Sequence, residues 1–461
     1  MTLTLDYTFM LTDAASGGVA PEAFSAAQDA FAAAHASVAA RHAAGELGFL
    51  DLPRRRDLAA QVLEFAAGAR GAWRDVVLLG IGGSALGPIA LRNALCAPQW
   101  NGLDDAARAG YPRLHVLDNV DPVTIGAVLD RVQLADTLFL VVSKSGGTAE
   151  TMAQYLVVRA RLEAQALPLA RHLVFVTDPE KGALRPIARR EGCAALDIPA
   201  NVGGRFSVLS PVGTLPAALV GIDIESLLAG AGDMVRRCAT SELARNPAGT
   251  FATLQWLADT KGGKRVHVLM PYADPLRDIA AWFVQLWAES LGKVSGDGEH
   301  VGPTPVPALG ATDQHSQVQL FMEGPLDKTV TFVAVEQPAL DVTIPGAHGD
   351  VADLAYLGGH SLWELLNIER RATAGALASR GRPSMTLSLP AVDPWHLGAL
   401  VMLLEIATAY AGALYGVNAF DQPGVELGKR FTYGMMGRPG FEAARDEFAR
   451  LPKPNPERII G

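Results

Sequence analysis

Short, mostly apolar runs alternate with amphipathic stretches over the first half of the chain. Runs at 75–79, 114–118, 137–142, 172–177 and 194–199 have the length of strands that are buried on both faces. The segments between them carry apolar residues at helical spacing. Since strands that alternate with helices are joined by crossover connections, this order predicts a parallel sheet with helices on both faces.

A second block of the same kind follows a long, mostly helical middle region. It begins with an apolar run at 265–270 and continues with a predicted strand at 329–335. Helices are predicted at 360–379 and 394–415, where the apolar residues extend over several turns. The fold class is therefore predicted to be α/β, with two blocks that each contain a parallel sheet.

The pattern also predicts where the chain divides. We expect an N-terminal helical segment (1–50), a first domain (51–230), a second domain (231–438) and a C-terminal helix and arm (439–461). At 461 residues the chain is long enough for two large cores.

Residues 282–293, Trp-Phe-Val-Gln-Leu-Trp-Ala-Glu-Ser-Leu-Gly-Lys, place polar groups inside an apolar helical pattern. Gln285 and Glu289 are four residues apart, so they lie on one face of the predicted helix. A carboxylate that loses hydration holds a proton more tightly, which suits a general base near neutral pH. The alternative is a structural carboxylate that caps the helix or pairs with Lys293.

The turn Ser143-Lys-Ser-Gly-Gly-Thr148, extended to Thr151, lies between a predicted strand and a predicted helix. It combines hydroxyl groups, glycines and a lysine with the positive end of a helix, which is the combination that phosphate prefers. An ordinary capped turn would need one hydroxyl rather than four. The turn is not a P-loop, because the spacing of that motif is absent.

Two other glycine-rich turns are less specific. The turn at 80–87 follows a predicted strand and resembles a dinucleotide fingerprint, but a lone glycine motif is weak evidence. Gly203 and Gly204 precede Arg205, where a guanidinium can approach a ligand and stabilise an oxyanion. The alternative for Arg205 is a structural ion pair.

Two further polar groups are candidates for proton transfer. His315 lies in a polar cluster between apolar segments, although most single histidines are surface or core residues. Lys429 follows a turn at 417–428, and such a lysine is more often a solvated helix residue.

Composition limits which binding partners and which cellular compartment are expected for this protein. The chain has 39 Lys and Arg against 48 Asp and Glu, with no long basic run, so nucleic acid and anionic membranes are not expected partners. Three widely spaced cysteines without a CxxC pair argue against a disulfide framework or a structural zinc site. With no export signal and no charge-free run of transmembrane length, a cytoplasmic protein is expected.

Taken together, the motifs resemble those of the glucose-6-phosphate isomerases, in the family's order and over nearly the whole chain. The matching segments are Gly80-Ile-Gly-Gly-Ser84 with Leu86-Gly-Pro88, Ser143–Thr151, Gly203-Gly-Arg-Phe-Ser-Val208, Gln285 with Glu289-Ser-Leu-Gly-Lys293, Ala311-Thr-Asp-Gln-His-Ser316, and Asp421-Gln-Pro-Gly-Val-Glu426 with Lys429. The resemblance implies two sugar-isomerase (SIS) domains and a C-terminal helical arm. It also implies reversible isomerisation of glucose 6-phosphate and fructose 6-phosphate through a cis-enediolate.

The resemblance further implies a role for individual residues. Glu289 is the implied base, Arg205 lies beside the developing enediolate, and His315 and Lys429 act during ring opening. The residues implied at the sugar and its phosphate are Gly83, Ser84, Ser143, Lys144, Ser145, Thr148, Thr151, Gly204 and Gln285. The histidine comes from the partner subunit in this family, so a homodimer with a shared site is implied. No metal and no organic cofactor is expected.

The chain departs from the familiar pattern in two places. Gly146 and Gly147 stand where many members have larger side chains, and Ala85 stands where an Asp is common. Both departures suit the shorter bacterial branch and bear on phosphate affinity. The alternatives are an isomerase that also uses mannose 6-phosphate, a non-catalytic phosphosugar-binding regulator, and a dinucleotide-dependent enzyme.

Overall fold

The computed structural model describes residues 2–68 and 70–461. Its strands are β1 (Thr4–Asp6), β2 (Asp75–Leu79), β3 (Arg113–Leu117), β4 (Thr137–Val142), β5 (Leu173–Thr177), β6 (Ala194–Asp197), β7 (Val266–Pro271), β8 (Lys293–Val294), β9 (His300–Val301), β10 (Thr304–Pro307), β11 (Lys328–Val335) and β12 (Ser384–Leu389). Within these residues the strands form two larger sheets and one two-stranded pair, β8 with β9.

The helices fill the intervals between the strands. They are α1 (Pro21–Ala26), α2 (Gln28–Ala43), α3 (Arg56–Ala67), α4 (Leu86–Leu95), α5 (Pro122–Arg131), α6 (Ala149–Ala164), α7 (Leu169–His172), α8 (Leu184–Glu191), α9 (Pro211–Leu219), α10 (Ile224–Arg237), α11 (Pro247–Thr260), α12 (Arg277–Leu291), α13 (Val318–Glu323), α14 (Ala352–Ala355), α15 (Leu362–Ser379), α16 (Pro394–Leu414), α17 (Glu426–Met435) and α18 (Glu442–Ala449). The α/β fold class predicted from the sequence is confirmed.

The first sheet has the strand order β3-β2-β4-β5-β6, and every neighbouring pair is parallel. Its three central strands, β2, β4 and β5, are buried at every residue. Successive residues of a strand point to opposite faces of the sheet, so burial of every residue means that helices cover both faces. The apolar runs in the sequence predicted this arrangement. Leu79 at the end of β2 lies opposite Leu117 on one side and Val141 on the other.

The second sheet has the order β1-β12-β11-β7-β10. β7, β10, β11 and β12 are parallel, but β1 pairs with β12 in the antiparallel sense, with Thr4 opposite Ser388. The second sheet is therefore not purely parallel, which corrects the sequence-based expectation. The segment 1–50 contains this strand as well as helices α1 and α2. A three-residue strand is too short to show a recognisable period.

The chain separates into two compact units, Met1–Ala419 and Phe420–Gly461. Within the smaller unit, the rings of Phe431 on α17 and Phe448 on α18 lie 5.4 Å apart. The division into segments 1–50, 51–230, 231–438 and 439–461 stays a prediction. Helix α10 spans the predicted boundary after residue 230 and packs against α16, so no linker marks that point.

Helix α16 is the most apolar helix of the second half. By length and composition it is apolar enough to cross a membrane, yet 89% of its most apolar window is buried within the protein. It contains Glu405, which is fully buried, and neither carboxylate oxygen has a hydrogen-bond partner within the described residues. An uncompensated buried carboxylate is costly, and burial raises the pKa of the Glu405 carboxyl well above its usual value.

Glu405→Gln is expected to increase the free energy of unfolding, and the gain should grow with pH. The folded chain keeps the Glu405 proton, whereas the unfolded chain releases it near pH 4.5. The stability that depends on this proton is complete below that pH and is lost as the pH rises toward the folded-state pKa, by about 1.4 kcal/mol per pH unit. Urea unfolding of both proteins at pH 5 and pH 8 measures the difference.

The control is Glu336→Gln, because Glu336 is exposed. This variant should match the parent at both pH values. An equal gain from Glu405→Gln at pH 5 and pH 8 would contradict this prediction, because it would mean that the folded chain does not hold the Glu405 proton.

Candidate active site

Helix α12 carries the predicted base, and its apolar face packs against the second sheet. The indole Nε1 of buried Trp287 donates a hydrogen bond of 3.2 Å to Nδ1 of His267 on β7. Burial lowers the pKa of His267 to about 3, so the imidazole is neutral and accepts this bond. This bond fixes the rotation of α12 about its axis. Glu289 lies two residues after Trp287, on the opposite side of the helix, and 34% of its side chain is exposed.

Glu289 is paired with two side chains, one cationic and one neutral. Nη1 of Arg205 lies 3.4 Å from Oε2 of Glu289, and Nε2 of Gln285 donates to Oε1 at 3.3 Å. The Oε1 atom of Gln285 is buried and has no partner within the described part of the chain. It is therefore an unsatisfied acceptor next to the Glu289 carboxylate.

The Arg205 guanidinium is buried, with 4% of its side chain exposed. Besides the Glu289 carboxylate, it donates from Nε to Oγ of Ser290 at 2.7 Å and from Nη2 to the carbonyl of Ala419. These acceptors fix the orientation of the planar guanidinium, so its permanent positive charge lies beside the Glu289 carboxylate.

Two glycines of the turn after β2 let this cluster form. A Cβ on Gly83 would lie 2.3 Å from the carbonyl oxygen of Gly204 and 3.0 Å from the amide of Arg205. A Cβ on Gly82, whose φ is +55°, would lie 2.8 Å from Nε2 of Gln285. The turn, which ends at Ser84, therefore packs directly against both the arginine turn and α12.

The loop after β4 brings three hydroxyl groups together. Oγ1 of Thr148 lies 3.1 Å from Oγ of Ser143 and 3.2 Å from Oγ of Ser145. Thr148 is also the residue before α6, and its side chain does not cap the helix. The amide groups of the first turn of α6 thus remain available beside the hydroxyl cluster, which is an arrangement suited to an anion.

Gly146 in this loop is required by the backbone. Its φ is +61°, and a Cβ there would lie 3.1 Å from the amide nitrogen of Ala183. Gly147 differs, since a Cβ there would meet only the carbonyl oxygen of Ser145 at 4.0 Å. Many members of the family have larger side chains at these two positions. The backbone gives a structural reason for glycine at Gly146, and this reason does not apply at Gly147.

The two remaining candidates of the loop have different environments. Lys144 donates to the carbonyl of Ala200 at 2.9 Å. Burial lowers the pKa of its ammonium group, and the nearby Asp178 carboxylate acts in the opposite direction. Thr151 is buried on α6, and its Oγ1 has no partner among the residues described.

Sheet topology brings the glycine turn and the hydroxyl loop to the same place. β2 and β4 are neighbours, while the chain between them forms β3 on the other side of β2. The order of strands therefore reverses between β2 and β4, and ligands of open α/β sheets bind in the crevice at such a point. The turn at 80–84 and the loop at 143–148 both lie at the carboxyl ends of these strands.

The turn that contains His315 is fixed by its neighbours. Nε2 of Gln314 donates to the hydroxyl of Tyr272 at 2.7 Å, and Oδ2 of Asp313 accepts from the amide of Leu309 at 2.7 Å. His315 itself is exposed. The structure records no hydrogen bond or ion pair between His315 and the Glu289 cluster over the described residues.

Lys429 belongs to the smaller unit, on α17. Its Nζ pairs with Oε1 of Glu426 one turn earlier, at 2.8 Å. An exposed pair of this kind contributes little to stability, so the ammonium group is available for other interactions.

Several residues that support the cluster are not among those predicted from the sequence. Ser290 orients Arg205, while Asp313 and Gln314 hold the histidine turn. Their position next to Glu289 and His315 in the matching motifs is the one signal that could have pointed to them. A hydrogen bond between segments distant in sequence has no local pattern.

The comparison with known protein families gives a match over most of the chain. The model of the family described as phosphoglucose isomerase matches residues 56–445. The chain belongs to the phosphoglucose isomerase family.

Curated relatives agree with this assignment. A protein named glucose-6-phosphate isomerase from Rubrobacter xylanophilus is 51% identical over 401 residues, which cover 86% of this chain and 90% of the relative. The glucose-6-phosphate isomerase of Carboxydothermus hydrogenoformans is 46% identical over 414 residues and 89% of each chain.

Solved structures extend the similarity to the fold. A hypothetical protein from Thermus thermophilus superimposes with a TM-score of 0.86 at 42% identity and covers 95% of this chain and 100% of its own. A glucose-6-phosphate isomerase from Chlamydia trachomatis gives a TM-score of 0.73 at 26% identity, with 86% of this chain and 77% of its own covered.

Gly83→Ala is expected to lower the free energy of unfolding by about 1–3 kcal/mol, the usual cost of overpacking. The added methyl group would overlap the carbonyl of Gly204, so either the glycine turn or the arginine turn must move. Urea unfolding of the variant and the parent measures the change.

The matched control is Gly126→Ala on α5, where an added Cβ meets nothing within 4 Å. Alanine there should leave stability unchanged or raise it by up to about 1 kcal/mol, because glycine disfavours helix interiors. If Gly83→Ala left the free energy of unfolding as unchanged as the control does, the glycine turn and the arginine turn would not be closely packed.

Proposed function

We propose that this chain interconverts glucose 6-phosphate and fructose 6-phosphate, with Glu289 as the base that moves the proton between C2 and C1. The observation that carries the proposal is the Glu289 carboxylate, held between the buried Arg205 guanidinium and the Gln285 amide. Family membership supports the reaction class, and this cluster supports the assignment of roles.

The chemistry requires removal of a proton next to a carbonyl and its return to the neighbouring carbon. Glu289 takes the proton from C2 of the open-chain aldose, and electrons move toward the C1 oxygen to give the cis-enediolate. Arg205 stabilises the negative oxygen, and the proton of the C2 hydroxyl passes to the C1 oxygen. Glu289 then returns its proton to C1, which leaves the carbonyl at C2. A placed base contributes about 10²–10⁴ in rate, and a preorganised oxyanion partner adds about 10²–10³.

The phosphate group of the substrate is proposed to bind at the hydroxyl loop. Support comes from the three hydroxyls within 3.1–3.5 Å of one another and from the start of α6 beside them. The residues proposed for this role, together with Ser84 of the neighbouring turn, are Ser143, Lys144, Ser145, Thr148 and Thr151. Binding a group remote from the reacting carbons supplies orientation without chemistry of its own.

Lys429 and His315 are proposed to act on the ring oxygen and hydroxyl protons when the cyclic sugar opens, with His315 supplied by a partner subunit. Support for the shared site comes from the exposure of His315 on a turn that is held rigidly. The cis-enediolate mechanism needs no metal or organic cofactor, and the cytoplasm remains the expected compartment.

An apolar surface beside the histidine turn supports a homodimer. A cavity of about 480 Å³ is lined by Gly310 and Ala311, which precede the turn, and by Leu340 and Leu362. Leu340 is 80% exposed, and Tyr356 in the same segment of chain is 68% exposed. Large exposed apolar side chains of this kind favour an interface between copies of the chain.

Glu289→Gln is expected to lower kcat for fructose 6-phosphate by about 10²–10⁴, because the amide cannot accept the proton. A coupled dehydrogenase assay without added metal measures the rate, and Glu336→Gln is the matched control with a normal rate. Near-parental activity of Glu289→Gln would remove Glu289 as the base, and an inactive parent would overturn the function. Activity on mannose 6-phosphate comparable to that on fructose 6-phosphate would favour the broader isomerase.

Mixing two inactive variants tests the shared site. In a heterodimer of Glu289→Gln and His315→Asn, one site combines an intact Glu289 with an intact histidine from the other subunit. Co-expression should therefore restore activity to about a quarter of the parental sites. The matched control is a mixture of Glu289→Gln and Arg205→Met, which should stay inactive because these residues meet within one chain. Lack of restoration in the first mixture would contradict a shared site.

A further inference from the structure

Helix α6 carries a buried glutamine whose side chain reaches the end of a strand. Gln154 is 1% exposed, and its Nε2 donates to the carbonyl of Leu117 at 3.0 Å and to the carbonyl of Asn119 at 2.8 Å. Leu117 is the last residue of β3, and Asn119 lies in the chain that follows it. Both hydrogens of the amide are therefore used to hold the carboxyl end of β3.

The orientation of the Gln154 amide is set by these two carbonyls. Its Oε1 atom is buried and has no partner within the described residues. A reversed amide would place this oxygen against two carbonyl oxygens, which repel it and offer no hydrogen. The amide thus keeps both donor bonds although a buried acceptor is left unsatisfied, which costs about 1–3 kcal/mol.

The carbonyl of Leu117 also accepts a hydrogen bond from the glycine turn, residues 80–84. The donor is the amide of Gly80, at 3.3 Å. A Cβ on Gly80 would lie 3.0 Å from Cβ and from the carbonyl oxygen of Ser84, so the turn folds back on its first residue. Gln154 and the start of the glycine turn therefore share one acceptor.

The glycine turn in its turn touches the proposed proton-transfer cluster. A Cβ on Gly83 would overlap the carbonyl of Gly204, and a Cβ on Gly82 would lie 2.8 Å from Nε2 of Gln285. The same Nε2 donates to Glu289 at 3.3 Å. A shift of the turn would therefore reach the carboxylate through a single hydrogen-bonded side chain.

The other end of α6 lies at the hydroxyl loop, residues 143–148, which is proposed to bind the substrate phosphate. The helix begins directly after this loop, and Thr148 is the residue before its first turn. Thr151 and Gln154 are both buried and three residues apart, so they lie on one face of the helix. The first two turns of α6 therefore join the hydroxyl loop to the Gln154 amide.

We propose that Gln154 is a positioning residue that links the hydroxyl loop to the glycine turn, so that binding of the phosphate group helps to place Gln285 and Glu289 for proton transfer. This inference rests on the proposed function, and it gives Gln154 no contact with the substrate. It explains how binding energy from a remote group is used at the reacting carbons. The competing explanation is that Gln154 only stabilises the packing of α6 on the sheet.

A substrate divided into two pieces separates the two explanations. Fructose lacks the phosphate group, and inorganic phosphite supplies a dianion for the hydroxyl loop that is not attached to the sugar. If occupancy of the loop acts on the glycine turn, phosphite should raise kcat/KM for the isomerisation of fructose by the parent enzyme, by about 10². Glucose dehydrogenase measures the glucose that forms.

Gln154→Met keeps the length of the side chain and removes both donors. It is expected to lower the activation by phosphite about 10-fold, and kcat for fructose 6-phosphate by a similar factor, because small displacements of a catalytic group are costly. The rate with fructose alone and the inhibition constant of inorganic phosphate should stay close to the parental values. Gln154→Asn, whose shorter amide cannot reach both carbonyls, should lose part of the activation, which keeps the inference testable if Gln154→Met does not fold.

The matched control is Gln255→Met on α11. Gln255 is also 1% exposed, and its amide bonds to Oγ1 of Thr331 at 3.3 Å and to Oγ1 of Thr329 at 2.7 Å, both on β11 of the second sheet. Both methionine variants should lower the free energy of unfolding in urea, since each leaves buried polar groups without a partner. Only Gln154→Met should lower the activation by phosphite.

Parental activation in both Gln154 variants would overturn the inference, and so would a parent enzyme that phosphite does not activate. Binding of inorganic phosphate that weakens by the same factor as the activation would overturn it as well, in favour of the purely structural explanation. A parent that is inactive on fructose 6-phosphate would instead overturn the proposed function, so the two failures are distinguishable.

Discussion

A buried guanidinium must be surrounded by acceptors, and the site depends on how Arg205 meets this requirement. Its acceptors come from helix α12, through Glu289 and Ser290, and from the backbone of Ala419. Removing a partner from a buried charge leaves an uncompensated cation, which is far more costly than losing an exposed ion pair. The same constraint therefore ties the arginine turn, the proposed base and the end of the larger unit together.

Backbone contact at glycine positions makes this arrangement possible. Gly83 meets Gly204, and Gly82 makes room for the amide of Gln285, so turns from separate parts of the sequence approach without side chains between them. The reversal of strand order between β2 and β4 brings the hydroxyl loop to the same edge of the sheet. The loop proposed to bind phosphate and the turn that packs beside the proposed base thus lie at one edge of the first sheet.

Much of the fold and part of the site can be predicted from local sequence. The fully buried strands of the first sheet are continuous apolar runs, and the hydroxyl loop is recognisable because its residues are contiguous. β1 was missed because it is too short to show a period. The positive charge beside Glu289 was also ambiguous, since Lys293 lies nearer in sequence, whereas the ion pair is made by Arg205 from a distant turn.

The sequence by itself determined the α/β class, the family motifs, the candidate base and the candidate phosphate loop, because each depends on periodicity or on residues close together in the chain. The tertiary structure decided which cation pairs with Glu289, why Gly146 must be a glycine, and that the carbonyl of Ala419 accepts a hydrogen bond from Arg205. These features depend on contacts between distant segments and on the space left by absent side chains. Neither has a local pattern, so only the folded chain reveals them.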